Sequence, residues 1–234
     1  MLLLHHGTAN DSTHIPVQTT DVITESLEAN INYSGEYDRY FNGVFDTRIQ
    51  QNNPNANYST DVALSIFKWA AGDIGNGLLK FDLSNIPAGA TILDVKIRGR
   101  TATPSANGDS SYTIGLYRLK RNWIPLEATW NQYSSGNAWS FGGARSSDDI
   151  DVNAVTTLGV NVATGVWYEF TGAGLISLVQ GWVNGTFPNY GVMLERSDIY
   201  EHIDVPVYVG QSRTFTSSEG TNGNRIEIVI QWEI

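Results

Sequence analysis

Six of the 14 basic residues, Lys96, Arg98, Arg100, Arg118, Lys120 and Arg121, fall within 26 positions of a chain whose net charge is -10. On an extended segment, residues two apart point the same way, so Lys96, Arg98 and Arg100 share one face while Val95 and Ile97 turn to the other. A guanidinium is a planar fork that grips a carboxylate through two parallel hydrogen bonds, and an ammonium adds a point charge. Such a row suits an acidic polymer, a uronate chain above all. If Ile114 and Leu116 are buried with Val95 and Ile97, the same register brings Tyr117 beside the row. The alternative is a solvated face whose cations pair with nearby acids.

Aromatic rings offer a second chemistry. Trp69, Tyr112, Tyr133 and Trp139 fall in loops or at strand ends, where a flat ring can stack on a sugar or pack against a neighbouring subunit. Trp69 and Trp139 therefore join Lys96, Arg98, Arg100 and Tyr117 as ligand-binding candidates. Trp123, Trp130, Trp182 and Tyr190 read as core, because large aromatics dominate burial in sandwiches.

No catalytic residue is assigned. Three of the four histidines, His5, His6 and His14, lie near the amino terminus and only His202 falls further along, too few together for a zinc site or a Ser-His-Asp set. Glu127, Glu169 and Glu195 sit in or near strands, but a glycosidase needs two carboxylates at a defined separation. Asp148, Asp149 and Asp151, and Asp198, Glu201 and Asp204, form two acidic loops. Their oxygens can ligate Ca²⁺, although neither loop has the spacing of a known calcium motif; solvated turns are the simpler account. No cofactor is expected beyond a structural Ca²⁺.

These residues must be carried by strands. With 23 Gly, 11% aromatic and 16% charged residues in 234 positions, the composition fits short strands and long turns rather than a helical bundle. Without cysteine there are neither disulfides nor thiolate sites. The net acidity argues against nucleic acid or an anionic membrane as partner, and no apolar run is long enough to span a bilayer. The opening MLLLHHGTAND lacks a basic n-region and a sustained apolar core, so it does not read as a signal peptide. That points to a virion protein released by lysis, or to another route to an extracellular surface.

Residues 1–43 are polar and aperiodic and read as an arm or linker that grips other virion or surface proteins or builds a homo-oligomer. Residues 44–234 read as one domain. Within it, VFDTRI from Val44 and VALSIF from Val62 are strand-like. GLLKFDLSNIPAGATILDVKI, from Gly77 to Ile97, reads as strand, turn, strand: Leu79 and Phe81 alternate with Lys80 and Asp82, Pro87 ends the pairing, and Ile92, Val95 and Ile97 begin again. A core hairpin or a sheet corner results. Residues 134–166, rich in Gly, Ser and Asp, read as mostly surface loop. Leu175, Leu178, Val179, Trp182 and Val183 recur at helical spacing, with Thr171 to cap and Gly185 to terminate the helix. RIEIVIQW closes the chain as a central strand. The sum is an all-β, jelly-roll-like antiparallel sandwich with one short amphipathic helix.

LLKFDLSNIPAGATI resembles the opening signature of DNRLRE-type domains, which are grouped with family 96 carbohydrate-binding modules. FDTRI, LYRLKRNWIPLEATWN, YEFTGAGLISLVQGWVNGTFPNYGVMLE and FTSSEGTNGNRIEIVI follow the same pattern in order. The resemblance implies a jelly-roll sandwich without catalysis of its own, surface display or adhesion, and polysaccharide ligands, uronates among them. The leading rival is a structural decoration protein that stabilises a capsid and binds no ligand; a polysaccharide lyase or glycosidase comes third.

Overall fold

The computed structural model describes residues 21–23, 43–69, 72–102, 111–161, 163–197, 211–221 and 223–233. Apart from one short strand, the amino-terminal arm lies outside them, as do the four histidines and the acidic loop of Asp198, Glu201 and Asp204. The described residues form β1 (Asp21–Ile23), β2 (Val44–Gln50), β3 (Ala63–Lys68), β4 (Ile74–Phe81), β5 (Thr91–Arg100), β6 (Tyr112–Arg118) and β7 (Gln132–Ser134). They continue as β8 (Asn137–Ala138), β9 (Thr156–Val160), β10 (Trp167–Phe170), α1 (Ala173–Val183), β11 (Val192–Arg196), β12 (Gln211–Thr216) and β13 (Glu227–Glu233). Among them, no helix is long and apolar enough to cross a membrane.

Two antiparallel sheets stack as a sandwich. The first, sheet I, runs β1-β13-β5-β10; the second, sheet II, runs β12-β3-β4-β11-β6-β9, with β2 also paired to β4. Val95, Ile97, Ile228 and Ile230 of sheet I meet Leu64, Ile66, Leu79, Phe81, Ile114, Leu116 and Leu194 of sheet II in one core. The strand, turn, strand stretch is a sheet corner: β4 belongs to sheet II and β5 to sheet I. Asp82 accepts a hydrogen bond from the Ser84 N–H (2.9 Å) as the chain leaves β4.

The closing strand is internal, as its alternation predicts. β13 lies between β5 and β1, with Ile228 opposite Ile97 and also opposite Ile23. A bulge interrupts β5 against β13, for Gln231 pairs with Asp94 and Trp232 with Ile92. The extra residue, Leu93, turns out to solvent at 39% exposure. That single residue lets Ile92 and Val95, three apart, face the same core.

Helix α1 buries Leu175, Leu178, Val179 and Trp182 against this core. Thr171 does not cap it: the residue before the helix is Gly172, without a side-chain cap bond, and the Thr171 carbonyl accepts the Thr156 hydroxyl instead (2.8 Å). Its end does fall at Gly185. The N–H groups of Gly185 and Thr186 return to the carbonyls of Trp182 and Gly181 at 3.1 and 2.9 Å, the paired closure of a Schellman turn. Gln180 ties the helix to the corner by accepting from the Ile92 N–H and donating to the Ala90 carbonyl.

A third layer covers the far side of sheet II. Leu119, Trp123, Ala128, Trp130, Trp139, Ala144 and Ile150, all from the long segment after β6, bury Ile49, Ile74, Leu78, Tyr117 and Met193. β4 is therefore buried on both faces, with Lys80 alone half-exposed. Residues 134–166 are not mostly surface loop as expected: part of that stretch is lid, and β9 within it pairs with β6 at the end of sheet II.

Candidate functional site

The outer face of sheet I carries the basic row. Along β5, Val95 and Ile97 point inward with no exposure, and Gly99 follows them because a Cβ there would come within 2.9 Å of the Phe215 ring. Lys96, Arg98 and Arg100 are thereby forced outward. Pairing then selects their neighbours. Arg98 lies opposite Glu169 on β10 and Glu227 on β13, Arg100 lies opposite Trp167, and Lys96 lies opposite Val229.

The charges interlock. Arg98 donates through Nε to Glu227, its Nη1 is 3.9 Å from Glu169 Oε1, and Lys96 Nζ is 3.7 Å from Glu169 Oε2. The Arg98 guanidinium also sits 4.8 Å from the centre of the Trp167 ring. The side chains of Lys96, Arg98 and Glu169 keep 40%, 33% and 37% of their surface in water, so each loose pair with Glu169 stabilises the fold by no more than about 1 kcal/mol. Among the described residues Arg100 makes no ion pair. The arrangement is an indole pinned by one arginine, with a second arginine and a lysine available on the same strip.

Trp167 is absent from the sequence candidates, and Tyr117, which is among them, lies elsewhere. β6 pairs with β11 and β9 in sheet II, not with β5. Tyr117 faces the lid at 4% exposure and folds back over Gly115, where a Cβ would meet its ring at 2.6 Å. Trp139 is likewise part of the lid core, 5% exposed, with Nε1 donating to the Thr129 carbonyl (2.9 Å) and its ring 5.5 Å from Tyr133. Neither ring presents a face to a ligand. Trp69 is half-buried just after β3 of sheet II, its ring tilted 36° to that of Phe67 at 5.7 Å, and it is not on the strand that carries the basic row. Tyr112 is buried, donating to the Ile66 carbonyl, with the Arg196 and Arg213 guanidinia 4.7 and 5.4 Å from its ring centre. Trp123, Trp130 and Trp182 are core as expected.

The acidic residues disperse in the same way. Asp149 is fully buried and accepts from Arg121 Nε (3.2 Å) and from the backbone N–H groups of Ser140 and Phe141 (3.1 and 3.2 Å). Asp151 accepts from Arg118 at 2.7 and 3.1 Å and lies 3.0 Å from Lys120 Nζ. Partial burial pushes its pKa up, but the hydrogen bonds and charges of Arg118 and Lys120 outweigh that and hold it below the usual carboxylate range. Asp148 is exposed. Their carboxylates serve different partners, and among the described residues no three His, Cys, Asp or Glu gather as a metal site. Glu195 is buried against Arg145 (2.9 Å), Glu127 accepts from the Ser135 N–H, and Glu169 belongs to the strip.

The model of carbohydrate-binding module family 96 matches residues 38–171, more than half of the chain. That segment includes the basic row, Trp167, Glu169 and the whole lid. The chain belongs to this family. No curated protein matches it. Carbohydrate-binding modules are typically non-catalytic, and the binding chemistry of this family 96 module is to be sought on exposed aromatic and polar side chains. The match ends before α1, β11, β12 and β13, so Glu227, which holds Arg98, lies outside the matched segment.

Proposed function

We propose that this family 96 module is a non-catalytic polysaccharide binder, displayed at a virion or extracellular surface, and that its ligand face is the outer side of sheet I. The observation that carries the reading is the Trp167 indole held by Arg98 while Arg100, directly opposite it, has no ion pair among the described residues. A uronate suits this strip: its ring lies on the indole and its carboxylate takes the Arg100 fork. The half-exposed Glu169 is held loosely, so Lys96 can exchange it for a ligand carboxylate at little cost. Total charge does not forbid this, because at physiological ionic strength fields decay over about 8 Å and the docked chain feels the strip first.

Affinity electrophoresis through gels containing alginate, at low and high salt, tests the proposal. Arg100→Ser is expected to weaken retention roughly tenfold, the loss of one charge-assisted contact, and to flatten its salt dependence. Trp167→Ala is expected to weaken retention at both salts. Unchanged retention in both variants would remove the strip as the site, and no retention of the wild-type protein by any acidic or neutral polysaccharide would favour the ligand-free decoration reading.

A further inference from the structure

The lid carries a turn that is held more firmly than a covering loop requires. Residues 140–145 run Ser-Phe-Gly-Gly-Ala-Arg, and buried groups grip them from below. The fully buried Asp149 carboxylate accepts the N–H groups of Ser140 and Phe141, and the buried Asn76 amide donates to the Gly143 carbonyl at 3.1 Å. Arg145, at the end of the turn, pairs with Glu195, which has no exposure. Gly142 and Gly143 press on the Trp130 indole, so that a Cβ at Gly143 would lie 2.5 Å from the ring.

The backbone itself is strained here. Ala144 has φ of 60°, the one positive-φ residue other than glycine among those described. Such conformations cost about 1–3 kcal/mol and cluster where a site must be held in shape. What this turn holds out to solvent is Phe141, 53% exposed. Beside it Arg121 shares the Asp149 carboxylate, donates to the Ser140 hydroxyl (3.0 Å) and stands 6.0 Å from the Tyr133 ring. Its charge is already met by Asp149, yet a guanidinium has five N–H donors and the described residues take two of them.

We propose that the Phe141 turn is a second polysaccharide contact, on the side of the molecule opposite the sheet I strip, which takes the apolar face of a neutral pyranose ring. Phe141 stacks on the ring and Arg121 donates to its hydroxyls. Preorganisation is the reason for the buried grip, since an aromatic on a rigid turn loses little conformational freedom when it binds. The inference rests on the reading of the chain as a polysaccharide binder but not on the sheet I strip. With contacts on opposite sides, one module can hold two chains, or two stretches of one chain, together.

Two substitutions and two gels test it, using the full chain. Phe141 is exposed, so Phe141→Ala folds, and Phe141→Trp preserves a stacking face. In gels containing a neutral β-glucan, Phe141→Ala is expected to reduce retention roughly three- to tenfold, the range for one aromatic contact, with Phe141→Trp equal to wild type. High salt should leave that retention unchanged, in contrast to the alginate gel. If wild-type protein is retained and Phe141→Ala matches it in both gels, the turn is not a sugar contact and the inference falls while the binding function stands. If Arg100→Ser and Trp167→Ala are neutral while Phe141→Ala loses retention, the inference stands and the strip falls. A change in oligomeric state by light scattering for Phe141→Ala, with retention intact, would make the turn a protein contact and overturn the proposal.

Discussion

Arg98 on the outer side of sheet I keeps a third of its side chain in water beside two glutamates, whereas Arg145, under the lid of sheet II, is 10% exposed and pairs with a Glu195 that water does not reach. Both are arginine–glutamate contacts on the far side of a sheet from the common core. They differ in the cost of breaking them. On the open face, water and ions can replace the half-exposed Glu169, whereas Glu227, 8% exposed, holds Arg98 almost as a buried partner would. Under the lid nothing replaces a lost partner, so the pair fastens the covering segment in place. Charge on this module is thus exchangeable where solvent reaches both partners and a rivet where solvent is excluded.

The sharpest way to break that contrast is Glu195→Ala. It removes the buried carboxylate paired with Arg145 and is expected to cost about 3–5 kcal/mol in chemical denaturation, with Arg145→Met plus Glu195→Leu recovering most of the loss. A loss below about 1 kcal/mol would place the pair in the same class as the open-face bridges.

A buried carboxylate held by an N–H group rather than by a cation gives an intermediate effect. Asp46, 2% exposed, accepts from the Ser218 N–H at 2.6 Å; burial, reinforced by the neighbouring Glu219, raises its pKa to about 7. Burial also raises Glu219, which hydrogen bonds, that of the Ser218 hydroxyl first, and the charge of Arg225 partly offset. The folded state therefore binds the Asp46 proton more tightly than the unfolded chain, in which an aspartate titrates near 4. The resulting stabilisation is complete below about pH 4 and disappears as pH rises through about 7. Asp46→Asn escapes that loss, about 4 kcal/mol for about three pKa units, less the cost of burying an amide NH2, and is expected to be more stable than wild type by about 2 kcal/mol above neutrality and less stable in acid. Denaturation midpoints of both proteins across pH measure the difference, and a pH-independent difference would refute the assignment.

The smallest effect is expected on the open face. Replacing Arg100 with serine should move stability by about 1 kcal/mol or less, while alginate retention falls. A large loss of stability would make the strip structural.

The fold was readable where periodicity is local. β2, β5, β13 and α1 follow from alternating or helical spacing, and the turn after Phe81 follows from Asp82 and Pro87. The face shared by Lys96, Arg98 and Arg100 was readable too, because a strand has period two whatever lies beside it. Its neighbours were not. Whether β5 pairs with the strand bearing Tyr117 or with the one bearing Trp167 depends on partners some 20 to 70 residues distant, about which the spacing within β5 says nothing. The same holds for the lid: residues 119–155 have no sustained period, so the burial of Trp139 and the four-way convergence of Asp149, Arg121, Ser140 and Phe141 arise only in three dimensions. An acidic run such as Asp148, Asp149 and Asp151 looks alike in sequence whether it serves calcium, water or arginine.

The pairing of β1 with β13 also determines how the module responds to pulling. Asp21 sits opposite Ile230 and Ile23 opposite Ile228, so the chain enters β1 at the same end of the ribbon from which it leaves β13. Tension applied through the segments before Asp21 and after Glu233 therefore peels the two strands apart like a zipper, loading one pair of hydrogen bonds at a time rather than shearing them together. β1 should detach at low force while β5, β10 and the strip they carry stay folded, a compliant tether in series with a stiff binding head.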